Sequence, residues 1–328
     1  MTRPLPTDRP LWKYLLLRRL KMLLALAVLI AVIGGGLYLF APQWLMQVNT
    51  WRKAEQAGLT THYVQIGDTD WAYYEGGQGP TIVLLHGYGT DRNVWLKVAP
   101  TLTRNFHLII PDLPGWGEST RNAGDNYDIS HQAERLHAFV HTLQLKHFVL
   151  VGHSMGGAIA GVYASEHLDN VSALALVSSF GLDFVKNDFA RRALSGHNPF
   201  AFDDRAGLER MLRLVFAQPP SMPSRFADVM VDRERASHAF LDKVFKELVQ
   251  PDQYTILDKR LGKLTMPVLG LWCRKDKIID VSALSTLRNG LTHAPSISAT
   301  VLNGCGHVPE LEKPDETARI LAGFAVAH

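Results

Sequence analysis

The sequence contains little cysteine and little excess charge. Cys273 and Cys305 are the only cysteines in 328 residues, too few for a small secreted domain built on disulfides. The formal net charge is +3. Six basic residues against one acidic residue place +5 within residues 1–21, which leaves −2 for the remainder. Because nucleic acid binding requires a basic surface, the body of the chain is not expected to bind nucleic acid.

Metal-binding patterns are missing as well. The two cysteines match no zinc spacing and are expected to be small buried packing residues. A single bridge between them is the alternative, because both lie on segments predicted to be neighbouring strands. His137 and His141 are four residues apart on a predicted helix, but the glutamate of a zinc-binding His-Glu-x-x-His helix is not there, so a solvated face is favoured. No metal and no cofactor are expected.

Charged residues are absent from Met22 to Thr50. The apolar run from Met22 to Phe40 is long enough to cross about 30 Å of hydrocarbon as a helix. The basic cluster before it is typical of a cytoplasmic flank. The pattern predicts an uncleaved transmembrane anchor with the amino terminus inside and the body of the chain outside. A cleaved signal peptide is the alternative, although its apolar region would be shorter, about 7–15 residues.

Apolar runs alternate with helical stretches over the rest of the chain. Such runs are typical of strands buried on both faces of a parallel sheet, so the alternation predicts an α/β fold. Between Phe180 and Lys263 the alternation stops, and apolar residues recur at helical spacing. The runs are Thr81–Leu85, Phe106–Ile110, Phe148–Val151, Val171–Val177 and Val268–Trp272.

These patterns divide the chain into five parts. Residues 1–21 are a basic amino-terminal segment, 22–41 the anchor and 42–60 a connector with a short helix from Trp51 to Gly58. The sheet domain comprises residues 61–180 and 264–328, and residues 181–263 form a helical cap inserted into it. The sheet domain opens with a predicted hairpin, in which His62–Ile66 and Asp70–Tyr74 flank a turn at Gly67.

One motif carries the chemistry. Residues 152–156 read Gly-His-Ser-Met-Gly, directly after the run Phe148–Val151 and directly before a helical stretch. Gly-x-Ser-x-Gly in a strand–turn–helix setting lifts the serine hydroxyl above the sheet. Ser154 is therefore predicted to be a nucleophile.

A serine nucleophile needs a histidine base that is oriented by a carboxylate. In sheets of this kind the acid follows the serine in sequence and the histidine comes last. Asp276 follows the run Val268–Trp272, and His307 lies in a glycine-rich loop near the end of the chain. Asp280 on the same loop and Asp183 after an earlier strand are the rival acids.

The negative oxygen formed by attack on a carbonyl needs two backbone donors. We expect these to be the amides of Met155, at the start of a helix, and Tyr88, in the loop after Thr81–Leu85. His86 and Gly87 of that loop, together with Phe180 and Phe184, are predicted to contact substrate. For His86 a structural role is the alternative, and Asp112 is expected to order its own loop through hydrogen bonds.

With these motifs in order, the chain resembles the α/β-hydrolase family from about residue 60 to the end. The resemblance rests on His86–Gly89, on Pro111–Ser119, on the serine motif, on Asp276 and on Gly306-His307. Within the family it is similar to membrane-associated bacterial lipases and monoacylglycerol lipases. The resemblance implies an α/β-hydrolase fold, with a mostly parallel central sheet flanked by helices, an inserted helical cap and an amino-terminal transmembrane helix.

The resemblance also implies an activity and a location. We expect a serine hydrolase that cleaves acylglycerol-like carboxylic esters through an acyl-enzyme on Ser154, on the periplasmic side of a bacterial inner membrane. A small-molecule acyl ester or lipid is the expected partner, together with the membrane; no nucleic acid or protein partner is implied. The alternatives are hydrolysis of a carbon–carbon bond in a ring-cleavage product and a non-catalytic tethered binding module.

Overall fold

A computed structural model describes residues 11–328. Arg3, Asp8 and Arg9 of the predicted basic segment lie outside the described residues. Eight strands form one sheet in the order β1-β2-β4-β3-β5-β6-β7-β8. The strands are β1 Leu59–Ile66, β2 Thr69–Gly76, β3 Thr81–Leu85, β4 His107–Pro111, β5 Phe148–His153, β6 Val171–Val177, β7 Val268–Cys273 and β8 Ile297–Leu302.

The sheet is mostly parallel, as the apolar runs predicted. Strands β1 and β2 form the expected antiparallel hairpin around Gly67, and β2 pairs antiparallel with β4. All remaining pairs, from β4 through β3 to β8, are parallel. Every residue of β5 and of β7 is buried, because helices cover both faces of the sheet. The predicted α/β fold is confirmed.

Two apolar cores form, one on each face of the sheet. Along β3, Val83 and Leu85 join a core with helices α4 and α5, whereas Ile82 and Leu84 face the opposite core with α3 and α12. This alternation follows from the two-residue period of a strand. The twelve α-helices of the described residues are α1 Leu11–Phe40, α2 Pro42–Gln56, α3 Ala99–Leu102, α4 Ile129–Thr142, α5 Met155–Glu166, α6 Asp188–Leu194, α7 Arg205–Val215, α8 Ser224–Leu248, α9 Pro251–Tyr254, α10 Ala283–Gly290, α11 Pro309–Glu312 and α12 Pro314–Ala327.

Helices α6 to α9 lie between β6 and β7, in the stretch for which the sequence predicts a cap. No strand interrupts this part of the described chain. The amphipathic helix α8 buries Leu241, Val244, Phe245 and Leu248 along one face. These side chains join the core that contains α4 and α5. The carboxyl-terminal half of α8 therefore covers the sheet at the end where β5 delivers Ser154.

The first helix is longer than the predicted anchor. Helix α1 begins at Leu11, so the basic cluster before Met22 is helical too. Its stretch Trp12–Phe40 contains an 18-residue window with a mean hydropathy of 2.5, no part of which is buried, and is long and apolar enough to cross a membrane. The connector helix α2 begins at Pro42, not at Trp51 as the sequence suggested, because a proline in the first turn of a helix needs no amide partner.

The carboxyl-terminal end of α1 contacts the cap. The rings of Tyr38 and Phe226 meet edge to face at 5.8 Å. The Arg225 Nη2 donates to the Leu39 carbonyl oxygen at 2.7 Å. Both cap residues belong to the first turn of α8. The apolar helix therefore joins the body through side-chain contacts as well as through the chain.

Candidate active site

Ser154 lies at the sharp turn between β5 and α5. Its backbone has φ 52° and ψ −118°, a conformation that costs a residue with a side chain roughly 1–3 kcal/mol. The neighbouring glycines explain how the turn is possible. A Cβ on Gly152 would lie 2.2 Å from the Gly156 carbonyl oxygen, and one on Gly156 would lie 2.4 Å from the His86 carbonyl oxygen. The strand, the helix and the β3 loop pass too close for side chains there.

His307 and Asp276 form a buried pair across two loops. Asp276 Oδ2 lies 2.9 Å from His307 Nδ1, and the aspartate side chain is fully buried. Its other oxygen, Oδ1, accepts the amides of Ile278 at 2.9 Å and Ile279 at 3.0 Å. A carboxylate held in this way keeps the proton on Nδ1, so Nε2 is left as a base.

The rival acids are engaged elsewhere. Asp183 is exposed and pairs with Lys186 at 2.5 Å. Asp280 accepts the amide of Ser282 at 2.9 Å. The structure thus brings Asp276, of the three candidates, to His307. The His307 ring centroid lies 4.9 Å from that of His153, the residue before Ser154, which places the pair beside the serine turn.

The loop after β3 passes directly over Ser154. A Cβ on Gly87 would lie 3.2 Å from the Ser154 Cβ and 3.0 Å from His153 Nδ1. Tyr88 follows, and its hydroxyl donates to the Leu241 carbonyl oxygen of α8 at 2.9 Å. Burial raises the pKa of Tyr88, so the phenol remains a hydrogen-bond donor. The side chain of Tyr88 therefore ties this loop to the cap while its backbone stays beside Ser154.

An apolar pocket opens at Ser154. Four of the predicted site residues line it: Ser154, Tyr88, Met155 and Phe180. The remaining lining residues come from the cap and from the loop that carries Asp276. None of the lining residues is charged. They are Phe189, Ala193, Phe200, Phe245, Leu248, Val249, Tyr254, Ile278 and Ile279.

Three of the residues predicted to contact substrate, His86, Gly87 and Phe184, do not line this pocket. His86 is fully buried. The amide of Leu113 donates to its Nε2 at 3.0 Å, so Nδ1 carries the proton and donates to the Gly87 carbonyl oxygen at 2.9 Å. Both ring nitrogens are thereby occupied, which is the structural role. Phe184 packs behind the lining residue Tyr254, with ring centroids 6.3 Å apart.

Asp112 orders its loop, as the sequence suggested. The carboxylate accepts the amides of Arg92 at 2.7 Å and Glu118 at 2.8 Å. It also forms a buried ion pair with the Arg92 guanidinium. A Cβ on Gly117 would overlap the carboxylate, which explains the glycine. This network joins the loop after β4 to the segment after β3 and stabilises both.

The cysteines are bonded to each other, so their interpretation as unpaired packing residues is wrong. Cys273 ends β7 and Cys305 lies in the loop after β8, and both are fully buried. The parallel pairing of Cys273 with Leu302 brings the two segments together. The bridge joins the loop that carries Asp276 to the loop that carries His307. It therefore limits how far Asp276 and His307 can separate.

Removing this bridge is expected to lower the free energy of unfolding. The disulfide closes a chain segment with a sequence separation of 32, for which the chain-entropy model predicts a loss of about 3–4 kcal/mol. Urea unfolding of the double substitution Cys273→Ala/Cys305→Ala measures this loss. Because the bridge is buried, a reductant should leave the folded wild type unchanged and act only in denaturant. An unchanged urea midpoint in the double variant would contradict the bond.

A glutamate missed in the sequence holds the His307 loop to the cap. Glu312 accepts the amides of Gly306 at 2.6 Å, Ala217 at 3.0 Å and Gln218 at 3.0 Å. The amide of His307 itself donates to the cap residue Val215 at 2.7 Å. No sequence signal marks the bonds to the cap, since their partners lie about ninety residues apart in the chain.

The α4 histidines His137 and His141 are not arranged as a metal site, because His137 stacks on His167. The rings of His137 and His167 stack in parallel with centroids 4.0 Å apart, so their nitrogens do not converge. Within residues 11–328, no group of three or more histidine, cysteine or acidic side chains is placed to hold a metal ion.

Comparison with known proteins agrees with this geometry. Residues 80–314 match the family model described as alpha/beta hydrolase fold. The monoacylglycerol lipase ABHD6 of Homo sapiens is 31% identical over 300 residues, covering 88% of each chain. Lipase 1 of Psychrobacter immobilis is 30% identical over 253 residues, covering 75% of this chain and 77% of the lipase.

A solved structure is similar over almost the whole chain. The crystal structure of a membrane phospholipase A, described as a bacterial virulence factor, superposes with a TM-score of 0.82 at 34% identity. The match covers 94% of this chain and 98% of the phospholipase. The resemblance to lipases expected from the motifs is thereby confirmed. This chain belongs to the α/β-hydrolase family.

Proposed function

We propose that this protein is a membrane-anchored serine hydrolase that cleaves acylglycerol-like carboxylic esters through an acyl-enzyme on Ser154. One observation carries the proposal. Ser154 stands at a strained turn, at the mouth of a pocket with no charged lining residue, beside the buried His307–Asp276 pair. The relatives that are named monoacylglycerol lipase and lipase support the ester as the bond that is broken.

The proposed reaction uses only groups of the protein and water. His307 Nε2 takes the proton of the Ser154 hydroxyl as its oxygen attacks the ester carbonyl. The amides of Tyr88 and Met155 stabilise the negative oxygen that forms. The C–O bond to the alcohol then breaks, and His307 returns the proton to the leaving alcohol. Water, deprotonated by the same nitrogen, hydrolyses the acyl-enzyme, while Asp276 holds the imidazole orientation throughout.

We further propose that helix α1 anchors the protein and places its body on the periplasmic side of a bacterial inner membrane. The basic residues Arg18, Arg19 and Lys21 stand at one end of the apolar run, as in a cytoplasmic flank. The bridge between Cys273 and Cys305 supports an oxidising compartment for the rest of the chain. An anchor suits a substrate that resides in lipid, because the enzyme then meets it without a search through bulk water.

The pocket disfavours the carbon–carbon bond hydrolase. The substrate of such an enzyme carries a carboxylate, and a buried carboxylate requires a cationic or hydrogen-bonding partner. No arginine or lysine is among the residues that line the pocket. A non-catalytic binding module is disfavoured because it would need neither the strained serine turn nor the buried His307–Asp276 pair beside it.

The proposed function predicts a defined dependence on acyl chain length. Each methylene that the apolar pocket buries contributes about 0.8 kcal/mol, which is about a fourfold gain in kcat/KM per added methylene until the pocket is full. The measurement compares monoacylglycerols of increasing chain length, a diacyl phospholipid and a ring-cleavage dienoate in detergent micelles. A preference for charged, water-soluble esters, or faster turnover of the dienoate, would rule the proposal out.

A further inference from the structure

Two titratable side chains lie buried directly behind His307, and the proposed reaction uses neither. Glu310 on α11 is fully buried, and in the described structure neither of its carboxyl oxygens has a hydrogen-bond partner. Its Oε1 lies 3.4 Å from His153 Nδ1. The opposite ring nitrogen, His153 Nε2, lies 2.9 Å from the His307 carbonyl oxygen. The three residues form a chain that ends on the backbone of the proposed base.

The hydrogen bonds determine where the protons lie. A carbonyl oxygen only accepts, so His153 Nε2 carries a proton and donates it to His307. Burial lowers the pKa of His153 well below the usual range, so its ring is neutral and Nδ1 is an acceptor. Burial raises the pKa of Glu310 to about 8, with Asp276 and Glu312 adding to the rise. Glu310 is then a neutral acid whose proton faces His153 Nδ1.

We propose that Glu310 and His153 act as one uncharged positioning unit for His307, in which the Glu310 proton faces His153 Nδ1, and that ionisation of this unit limits activity on the alkaline side. The inference rests on the proposed function for its kinetic consequence but not for its effect on stability. Neither residue touches the pocket, so both act through the His307 backbone.

Ionisation would break the chain at its centre. Once the proton leaves, a carboxylate faces the Nδ1 lone pair at 3.4 Å, and two acceptors repel each other in a buried site. The His153 ring can relieve this repulsion by turning, but it then gives up its bond to the His307 carbonyl oxygen. His307 loses a contact that holds its loop, and a displacement of the base by about 1 Å is enough to reduce turnover strongly.

Among the residues that the structure describes, no nearby cation is placed to stabilise the Glu310 carboxylate instead. Lys97 donates to the Leu311 carbonyl oxygen, Arg92 pairs with Asp112 and Glu118, and Lys313 pairs with Glu316. The charged or titratable groups on the elements that surround Glu310 and His153 are His86, Arg92, Lys97, Asp276, His307, Glu312, Lys313, Asp315, Glu316 and Arg319.

The substitution Glu310→Gln separates positioning from titration. The amide can donate a hydrogen to His153 Nδ1 but cannot ionise, so we expect kcat/KM at pH 7 to stay within about twofold of the wild type. The alkaline limb of the pH–rate profile, expected near pH 8 in the wild type, should move upward by at least one pH unit. His153→Ala should lower kcat about tenfold with little change in KM, because the base and not the pocket is disturbed.

Glu234 provides a matched control. It is a cap carboxyl whose pKa burial raises to about 7, and it lies outside the pocket lining. Glu234→Gln should leave the alkaline limb where the wild type has it. If Glu310→Gln retains the wild-type alkaline limb, or if Glu234→Gln moves it as far, the proposal is overturned.

Thermal unfolding tests the same unit without any substrate. Glutamate has a pKa of 4.5 when unperturbed and about 8 at this position in the fold. Between these values the unfolded chain has lost the proton that the folded chain retains, so stability falls as pH rises through this window. The difference in unfolding temperature between Glu310→Gln and the wild type should therefore grow in favour of the variant from pH 5 to pH 8. Above pH 8 this difference should stay constant. A difference that does not change with pH would refute the buried acid even if the protein were no esterase.

If Glu310→Gln does not fold, infrared spectroscopy can follow the carboxyl group of Glu310 in a protein that retains this residue. In a Glu234→Gln background, a protonated carboxyl band should persist at pH 7 and disappear near pH 8. Loss of all carboxyl bands below pH 7 would overturn the proposal.

Discussion

Replacing Ser154 with alanine should abolish ester hydrolysis, lowering kcat by about 10⁴-fold or more. The hydroxyl is the atom that the proposed reaction acylates, and no other serine stands at the mouth of the pocket among the described residues. The same variant should give no adduct with a fluorophosphonate probe, whereas the wild type should gain the mass of one phosphonyl group. Steady-state kinetics and intact-protein mass spectrometry measure the two effects.

A serine of the cap serves as control. Ser195 is exposed and donates to the Arg192 carbonyl oxygen, so Ser195→Ala should retain both activity and labelling. The unfolding temperature of Ser154→Ala should match the wild type, because the alanine occupies the same strained turn. A folded Ser154→Ala variant that still hydrolyses esters at more than one hundredth of the wild-type rate would place the nucleophile elsewhere.

Replacing Asp276 with asparagine should lower kcat about 10³–10⁴-fold with little loss of stability. The two oxygens of Asp276 explain the size of the effect. Oδ1 accepts the amides of Ile278 and Ile279, so the substituted amide must keep its own oxygen on that side. Its NH₂ group then faces His307 Nδ1 and donates to it. The imidazole is forced to carry its proton on Nε2, where it can no longer act as a base.

Asp280→Asn is the matched comparison, because Asp280 lies on the same loop and accepts the amide of Ser282. It should keep kcat within about twofold. Equal losses in the two variants would indicate a general disturbance of the loop. If Asp276→Asn kept more than one tenth of the wild-type kcat, the acid would have to be sought elsewhere.

Local patterns account for what the sequence could predict. The strands are continuous apolar runs because each is buried on both faces. Burial on both faces requires apolar side chains at consecutive positions, which can be recognised in the sequence. The serine turn is recognisable because its glycines and its flanking strand and helix are adjacent in the chain. The first part of helix α2 was not predicted, since the expected connector helix began at Trp51. A proline in the first turn, as at Pro42, is nevertheless a common start of a helix.

The pocket and the supports of His307 could not be predicted in this way. Phe200 and Phe245 look like ordinary core residues of the cap, and only their position over Ser154 makes them lining residues. The bond between His153 and His307 joins residues 154 positions apart. The bridge between Cys273 and Cys305 depends on the pairing of β7 with β8.

The amino-acid sequence alone determined the sheet, the apolar helix near the amino terminus and the three residue types proposed to react, because each depends on neighbours in the chain. The tertiary structure decided which aspartate reaches His307, that His86 is enclosed behind the pocket and that Glu310 loses all contact with water. These outcomes depend on distances between segments far apart in sequence, and the energies of hydrogen bonding and desolvation that act there exist only once those segments have packed.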